Sequence, residues 1–141
     1  SKILGQASRL PDKLVLQPMR GEAELRSYLY SNNYRIIDET VVFDSGRYYQ
    51  LISAKSGAPR QIPDCFAKGF FQFGAEAFNK RDPMLLPMMQ RYLFIIEQKL
   101  RQAVLSGGRP ERLIFEAEST AKLISAFLNG RNDDCSAKHT D

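Results

Sequence analysis

The stretch that decides the fold runs from Lys13 to Lys55, KLVLQPMRGEAELRSYLYSNNYRIIDETVVFDSGRYYQLISAK. Its hydrophobic pattern changes period along its length and predicts a strand, a helix and two further strands. Leu14 to Leu16 form a short apolar run that stops before Pro18 and Gly21, and a short run bounded by such residues is typical of a buried parallel strand.

A helix is predicted next, from Glu22 to the pair Asn32-Asn33, because acids favour the first turn and asparagine tolerates the left-handed conformation that ends helices. Tyr34 to Phe43 is then rich in Ile, Val, Thr and aromatic residues, which favour strands. Asp44-Ser45-Gly46 has turn chemistry, and Arg47 to Ala54 resumes the strand pattern. The two strands are therefore predicted to form a hairpin.

Four short motifs occur in order along the chain: LVLQPMRGEAELRSYL, YRIIDETVV, DSGRYYQLISA and FGAEAFNKRDP. In order and spacing they resemble the C-terminal half of bacterial tRNA (adenine-N1)-methyltransferases, which modify an adenine in the D-arm region, adenine 22 of tRNA. The resemblance covers nearly the whole chain.

The resemblance implies an α/β fold, the C-terminal part of a Rossmann-like class I methyltransferase sheet. In this fold the last strand enters antiparallel between its two predecessors. Arg47 to Ala54 is thus expected between Leu14 to Leu16 and Tyr34 to Phe43. An antiparallel, coiled-coil-like helical hairpin is expected after the sheet.

We predict four regions along the chain. Residues 1–55 are the C-terminal part of the methyltransferase domain and begin with the tail of a helix over residues 1–10. Residues 56–81 form a connector. Residues 82–130 form the helical hairpin, with Asp82 as the cap of its first helix. Residues 131–141 are a polar tail that we expect to be disordered.

The chain has a net charge of +4 and a sequence pI of about 9.2, which permits binding to a polyanion without requiring it. The predicted helical hairpin has an excess of basic residues. On composition alone, such an excess more often belongs to a charged surface exposed to solvent than to an RNA-binding surface. The resemblance makes tRNA the expected partner. The candidate RNA-binding residues are Arg91, Lys99, Arg101, Arg109, Arg112 and Lys122.

Gln17, Pro18 and Arg20 follow the first predicted strand and are candidates for the edge of the substrate site, because ligands of doubly wound sheets bind beyond the carboxyl ends of strands. Turn formation explains Pro18 and Gly21 equally well. The family tends to have an amide residue where Met19 stands, so no hydrogen-bonding role is carried over to that position.

Other candidates favour a structural reading. Asp38 and Glu39 are adjacent on a strand and point to opposite faces, so they cannot act on one reacting group. The aromatic segment of Phe66, Phe70, Phe71 and Phe73 is interpreted as core and not as a platform for bases. No residue of the chain is assigned a catalytic role, and no metal site is predicted.

The resemblance implies transfer of a methyl group from S-adenosylmethionine to N1 of a tRNA adenine, by in-line attack of the ring nitrogen on the methyl. No Gly-x-Gly cofactor turn follows a strand in this sequence. We therefore expect the cofactor to be bound mainly by an N-terminal half outside this chain, and the chain alone to be inactive. The alternative is a non-catalytic RNA-binding or protein-interaction module.

The sequence contains no apolar run of the roughly 20 residues that a membrane helix needs. Its two cysteines, Cys65 and Cys135, lie far apart and fit no metal spacing. We interpret them as reduced thiols of a cytoplasmic protein, with a single disulfide as the alternative.

Overall fold

The structure is a computed structural model that describes residues 13–18 and 20–130. The elements, in chain order, are strand β1 (Lys13–Leu16), helix α1 (Glu22–Ser31), strand β2 (Tyr34–Asp44), strand β3 (Arg47–Ser56), and helices α2 (Ala75–Asn79), α3 (Leu85–Leu105) and α4 (Glu111–Leu128). The expectations for residues 1–10 and 131–141 lie outside the described residues.

The three strands form one sheet in the order β1-β3-β2, with β3 antiparallel to both neighbours. Because β1 and β2 both run opposite to β3, they run parallel to each other. This confirms the predicted position of the last strand between its two predecessors, and with it the α/β fold class.

The turn between β2 and β3 explains why the two strands pair so regularly. Ser45 and Gly46 both have positive φ, at 52° and 81°. Two consecutive left-handed residues match the right-handed twist of the flanking strands, and glycine adopts this conformation without steric cost. The predicted hairpin is confirmed, with β2 extending to Asp44 and β3 to Ser56.

Helix α1 covers one face of the sheet with an apolar stripe. Leu25 and Leu29 are buried there against Ile36 of β2 and Ile52 of β3, in a cluster that also contains Tyr34 and Ala54. Asn33 has a φ of 58°, so the chain leaves the helix through the predicted left-handed position.

The described residues divide into two compact units. The sheet unit comprises residues up to Ile62 together with Phe71–Asp82. The helical unit comprises Pro63–Phe70 and the residues from Pro83 onward. The boundaries predicted for the four regions stay a prediction.

In the helical unit, α3 and α4 pack against each other as a helical hairpin. Its core includes Met89, Ile96 and Leu123. Both helices end at left-handed glycines, because Gly107 and Gly130 have φ values of 83° and 80° just after the last helical residues.

Two expectations from the sequence are wrong. Asp82 does not cap α3, which begins at Leu85 without a side-chain cap. Asp82 is buried and accepts a hydrogen bond from the backbone N–H of Val41 in β2 at 2.9 Å. Cys65 is buried and disulfide-bonded and is not a reduced thiol. Cys135 lies outside the described residues.

No helix among residues 13–18 and 20–130 is long and apolar enough to cross a membrane.

Candidate functional site

The carboxyl ends of β1 and β2 lie at the same edge of the sheet, because the two strands are parallel. β3 lies between them and starts at this edge, just after the Ser45-Gly46 turn. In open α/β sheets ligands bind at this edge.

A shallow pocket of about 510 Å³ opens there. One polar residue, Gln17, lines it from the end of β1, and another, Asp44, from the end of β2. The rest of the lining is apolar or aromatic and comes from the two hairpin strands: Val42, Phe43, Tyr49 and Leu51. This is the size and the mixed lining of a small-molecule or nucleobase site.

Of the three residues predicted for the substrate edge, Gln17 lines the pocket and the other two do not. Pro18 is half-buried and Arg20 is exposed, and neither contributes to the lining. The sequence reasoning missed the hairpin residues, although the predicted strand order already placed the end of β2 at the same edge as Gln17.

A buried ion pair joins α1 to the face of the sheet that α1 covers. The Arg26 Nε donates to Glu39 Oε2 at 2.7 Å, and both side chains are at most 2% exposed. Arg26 also donates to Gln50 Oε1 and to the backbone carbonyls of Phe71 and Gln72. The guanidinium thus ties together α1, both hairpin strands and the segment before α2.

Glu39 completes this cluster by accepting the backbone N–H of Glu76 at 2.8 Å. Gly74 lies so close that an added Cβ would stand 2.3 Å from the Glu39 carboxylate. Burial raises the pKa of Tyr30 from 10.0 to about 12, and the charge of Glu39 adds to this effect. Burial also raises the pKa of Glu76, against the opposing effect of Arg60.

The structural readings of the remaining candidates are confirmed. Asp38 is exposed and pairs with Lys80, whereas Glu39 is buried on the opposite face. Phe66 and Phe70 are buried in the helical unit, and in the sheet unit Phe73 is buried and Phe71 half-buried, so each pair contributes to the core of its own unit.

The six candidate RNA-binding residues are all exposed in the helical unit. Arg101, Arg109 and Arg112 lie near the loop that joins α3 to α4. The Arg112 side chain already has partners within α4, because it donates to Glu116 at 3.1 Å and lies over the ring of Phe115 at 5.0 Å. Arg91, Lys99 and Lys122 lie further along the helices.

The turn after β1 carries a single glycine, Gly21, followed in α1 by the acids Glu22 and Glu24. No group of three or more His, Cys, Asp or Glu side chains that could hold a metal ion occurs among residues 13–18 and 20–130.

Comparison with known proteins identifies a similar family, a similar sequence and similar solved structures. Residues 1–52 match the family described as "Methyltransferase domain". The chain is 33% identical over 46 residues to the tRNA (adenine(22)-N(1))-methyltransferase of Bacillus subtilis (strain 168), and these residues are 33% of the chain and 19% of the relative.

Solved structures show the same fold. Streptococcus pneumoniae Sp1610, in complex with S-adenosyl-L-methionine, matches with a TM-score of 0.66 and 18% identity, over 87% of this chain and 51% of that protein. M. capricolum TrmK, in complex with S-adenosyl-homocysteine, matches with a TM-score of 0.67 and 16% identity, over 92% of this chain and 55% of that protein.

The chain therefore spans about half the length of the solved structures it matches, and a smaller part of the curated relative. The resemblance predicted from the sequence is confirmed, and the fold is that of about half of a Rossmann-like tRNA methyltransferase structure.

Proposed function

We propose that the protein acts in the transfer of a methyl group from S-adenosylmethionine to N1 of adenine 22 in tRNA. The observation that carries this proposal is the 33% identity over 46 residues to the B. subtilis enzyme of that specificity. The pocket at the carboxyl edge of the sheet supports it, because it lies where this fold binds ligands and has room for a base.

The complete gene product is the protein to test. It should transfer the methyl group of isotope-labelled S-adenosylmethionine to an unmodified tRNA transcript, and mass spectrometry of the digested tRNA should identify the product as N1-methyladenosine. Label on another nucleoside would indicate a different methyltransferase. Absence of transfer would favour the alternative, a non-catalytic RNA-binding or protein-interaction module.

The 141-residue chain by itself is expected to bind S-adenosylmethionine no more strongly than background. The physical reason is that its described residues form no glycine-rich turn against which the cofactor can lie. Calorimetric titration of the chain with S-adenosylmethionine measures this. Micromolar affinity would show that the chain holds a cofactor site.

We also infer a division of labour in which the sheet unit handles the base and the helical unit holds the tRNA backbone. The exposed basic residues of α3, α4 and their loop support this inference, because phosphate contacts by Lys and Arg supply most of the non-specific affinity for nucleic acids. A tRNA substrate also implies a cytoplasmic protein. The disulfide at Cys65 is atypical for that compartment.

Replacing Arg101, Arg109 and Arg112 together with glutamine is expected to weaken tRNA binding by the complete gene product. Each lost phosphate contact should flatten the slope of log affinity against log salt concentration by about 0.7 to 0.9. Arg112 should contribute least, because its charge is shared with Glu116. Binding measured across a salt series gives both quantities.

The matched control removes the charges of three exposed lysines that lie outside the two long helices: Lys13, Lys55 and Lys68. Affinity for S-adenosylmethionine should be unchanged in both triple variants. If the arginine variant binds tRNA with the affinity and salt slope of its control, the helical hairpin has no role in holding tRNA.

A further inference from the structure

We propose that the pocket at the carboxyl edge binds the target adenine itself, with the base lying flat across β3 between Gln17 and Asp44. This inference rests on the proposed function and adds to it the residues that recognise the base.

The shape of the pocket follows from the order of the strands. Tyr49 and Leu51 are two residues apart on β3 and point to the same face, so they form an apolar floor. Val42 pairs with Tyr49 across the hairpin and extends this floor. Val42 is 38% exposed and Tyr49 and Leu51 are half-buried, so this floor is partly exposed, and α1 with its apolar cluster covers the opposite face.

The two polar residues stand on either side of this floor. β1 and β2 are separated by β3, about 10 Å across at the usual spacing between strands. Asp44 pairs with Arg47 of β3, whereas Leu16, next to Gln17, pairs with Ile52, so Gln17 and Asp44 face each other diagonally across this floor. A flat ring with hydrogen-bonding groups at opposite ends fits this arrangement. An aliphatic ligand would leave both polar side chains without partners.

Adenine has suitable groups at the two ends of its six-membered ring. The amino group N6 can donate to the Asp44 carboxylate, and N3, directly across the ring, can accept from the Gln17 side-chain amide. This orientation leaves the N1 lone pair free. Guanine presents an acceptor at position 6, which a carboxylate disfavours.

The charge of Asp44 also suits the reaction. A methyl group on N1 places a positive charge on the adenine ring, and a carboxylate beside the ring stabilises that charge as it develops.

The experiment measures single-turnover methyl transfer by the complete gene product at saturating S-adenosylmethionine. Two tRNA substrates are compared, one with adenine at the target position and one with purine, which lacks N6. Asp44→Ala is expected to slow transfer to adenine by about 10- to 100-fold, the usual effect of losing a hydrogen bond to a charged group. It should have little further effect on the purine substrate, because the two changes remove the same contact.

Gln17→Ala is expected to slow both substrates equally, since its proposed partner N3 is present in both bases. Asp38→Asn is the matched control, because Asp38 is an exposed acid on the same strand and lies outside the pocket. The control should behave like the wild type, and no variant should change the affinity for S-adenosylmethionine.

The outcomes separate the two proposals. A wild-type protein that methylates no tRNA would overturn the proposed function and the base site together. If the wild-type protein is active but Asp44→Ala transfers the methyl group at the wild-type rate, the base site alone is overturned. The same holds if Asp44→Ala slows transfer equally for both substrates. Loss of thermal stability in Asp44→Ala and Gln17→Ala would show that another part of the protein covers the pocket, and would also overturn it.

Discussion

Replacement of Arg26 with methionine is expected to lower the free energy of unfolding by about 3 to 5 kcal/mol. Methionine fills much of the same space but leaves the Glu39 carboxylate buried without its cation. It also leaves the side-chain oxygen of Gln50 and two backbone carbonyls without the guanidinium donors. Denaturation by urea, followed by circular dichroism, measures the change.

The double variant Arg26→Met with Glu39→Leu should recover part of this loss, because a buried apolar pair has no uncompensated charge. Lys80→Gln is the control. The side chains of Lys80 and Asp38, which form an ion pair, are 40% and 55% exposed. Such exposed pairs contribute about 0 to 1 kcal/mol to stability. If Arg26→Met lowers the free energy of unfolding no more than this control does, the result would contradict the buried ion pair.

Gly74→Ala is expected to destabilise the protein by about 1 to 3 kcal/mol, the usual cost of inserting a methyl group into a closely packed site. The backbone of Gly74 has ordinary extended angles, with φ of −94° and ψ of 133°. The effect is therefore one of space alone, because the new Cβ would stand 2.3 Å from the Glu39 carboxylate and force it away from Arg26.

The test of this reason is to repeat Gly74→Ala in a Glu39→Ala background, where the space is free. There the substitution should cost little, so that the two changes are not additive. Gly108→Ala is a control in which an added Cβ meets only the Ala103 carbonyl at 3.4 Å. Equal costs for Gly74→Ala in both backgrounds would show that Glu39 does not occupy this space.

The sequence predicted the sheet and its helix well, because their signals are local. Residue types at the turn determine the hairpin, and Asn33 and Gly107 adopt the left-handed angles that end helices. The position of β3 between β1 and β2 followed from the family resemblance. Gln17 was found because it directly follows a strand.

The buried ion pair was not predictable in the same way. β2 changes register between Ile36 and Asp38. Without this bulge, strict alternation from the buried Ile36 would place Glu39 on the exposed face, and with it Glu39 lies on the buried face. Arg26 shares the apolar face of α1, a position where charged residues are rare. Both features depend on partners far along the chain, as does the hydrogen bond between Val41 and Asp82.

Asp44, Phe43 and Tyr49 were missed as residues that line this pocket for a related reason. Each has a sufficient local explanation as part of a hairpin, and only the assembled sheet brings them beside Gln17. The pocket is therefore a property of the strand order and not of any single motif.

The most direct test of the account is the N1-methyladenosine content at position 22 of tRNA from cells of the source organism that lack the gene. Mass spectrometry of the tRNA should show the modification absent in the deletion strain and restored by the wild-type gene. The gene carrying Asp44→Ala should restore it poorly, and the gene carrying Asp38→Asn should restore it fully. Unchanged N1-methyladenosine at position 22 in the deletion strain would contradict the account.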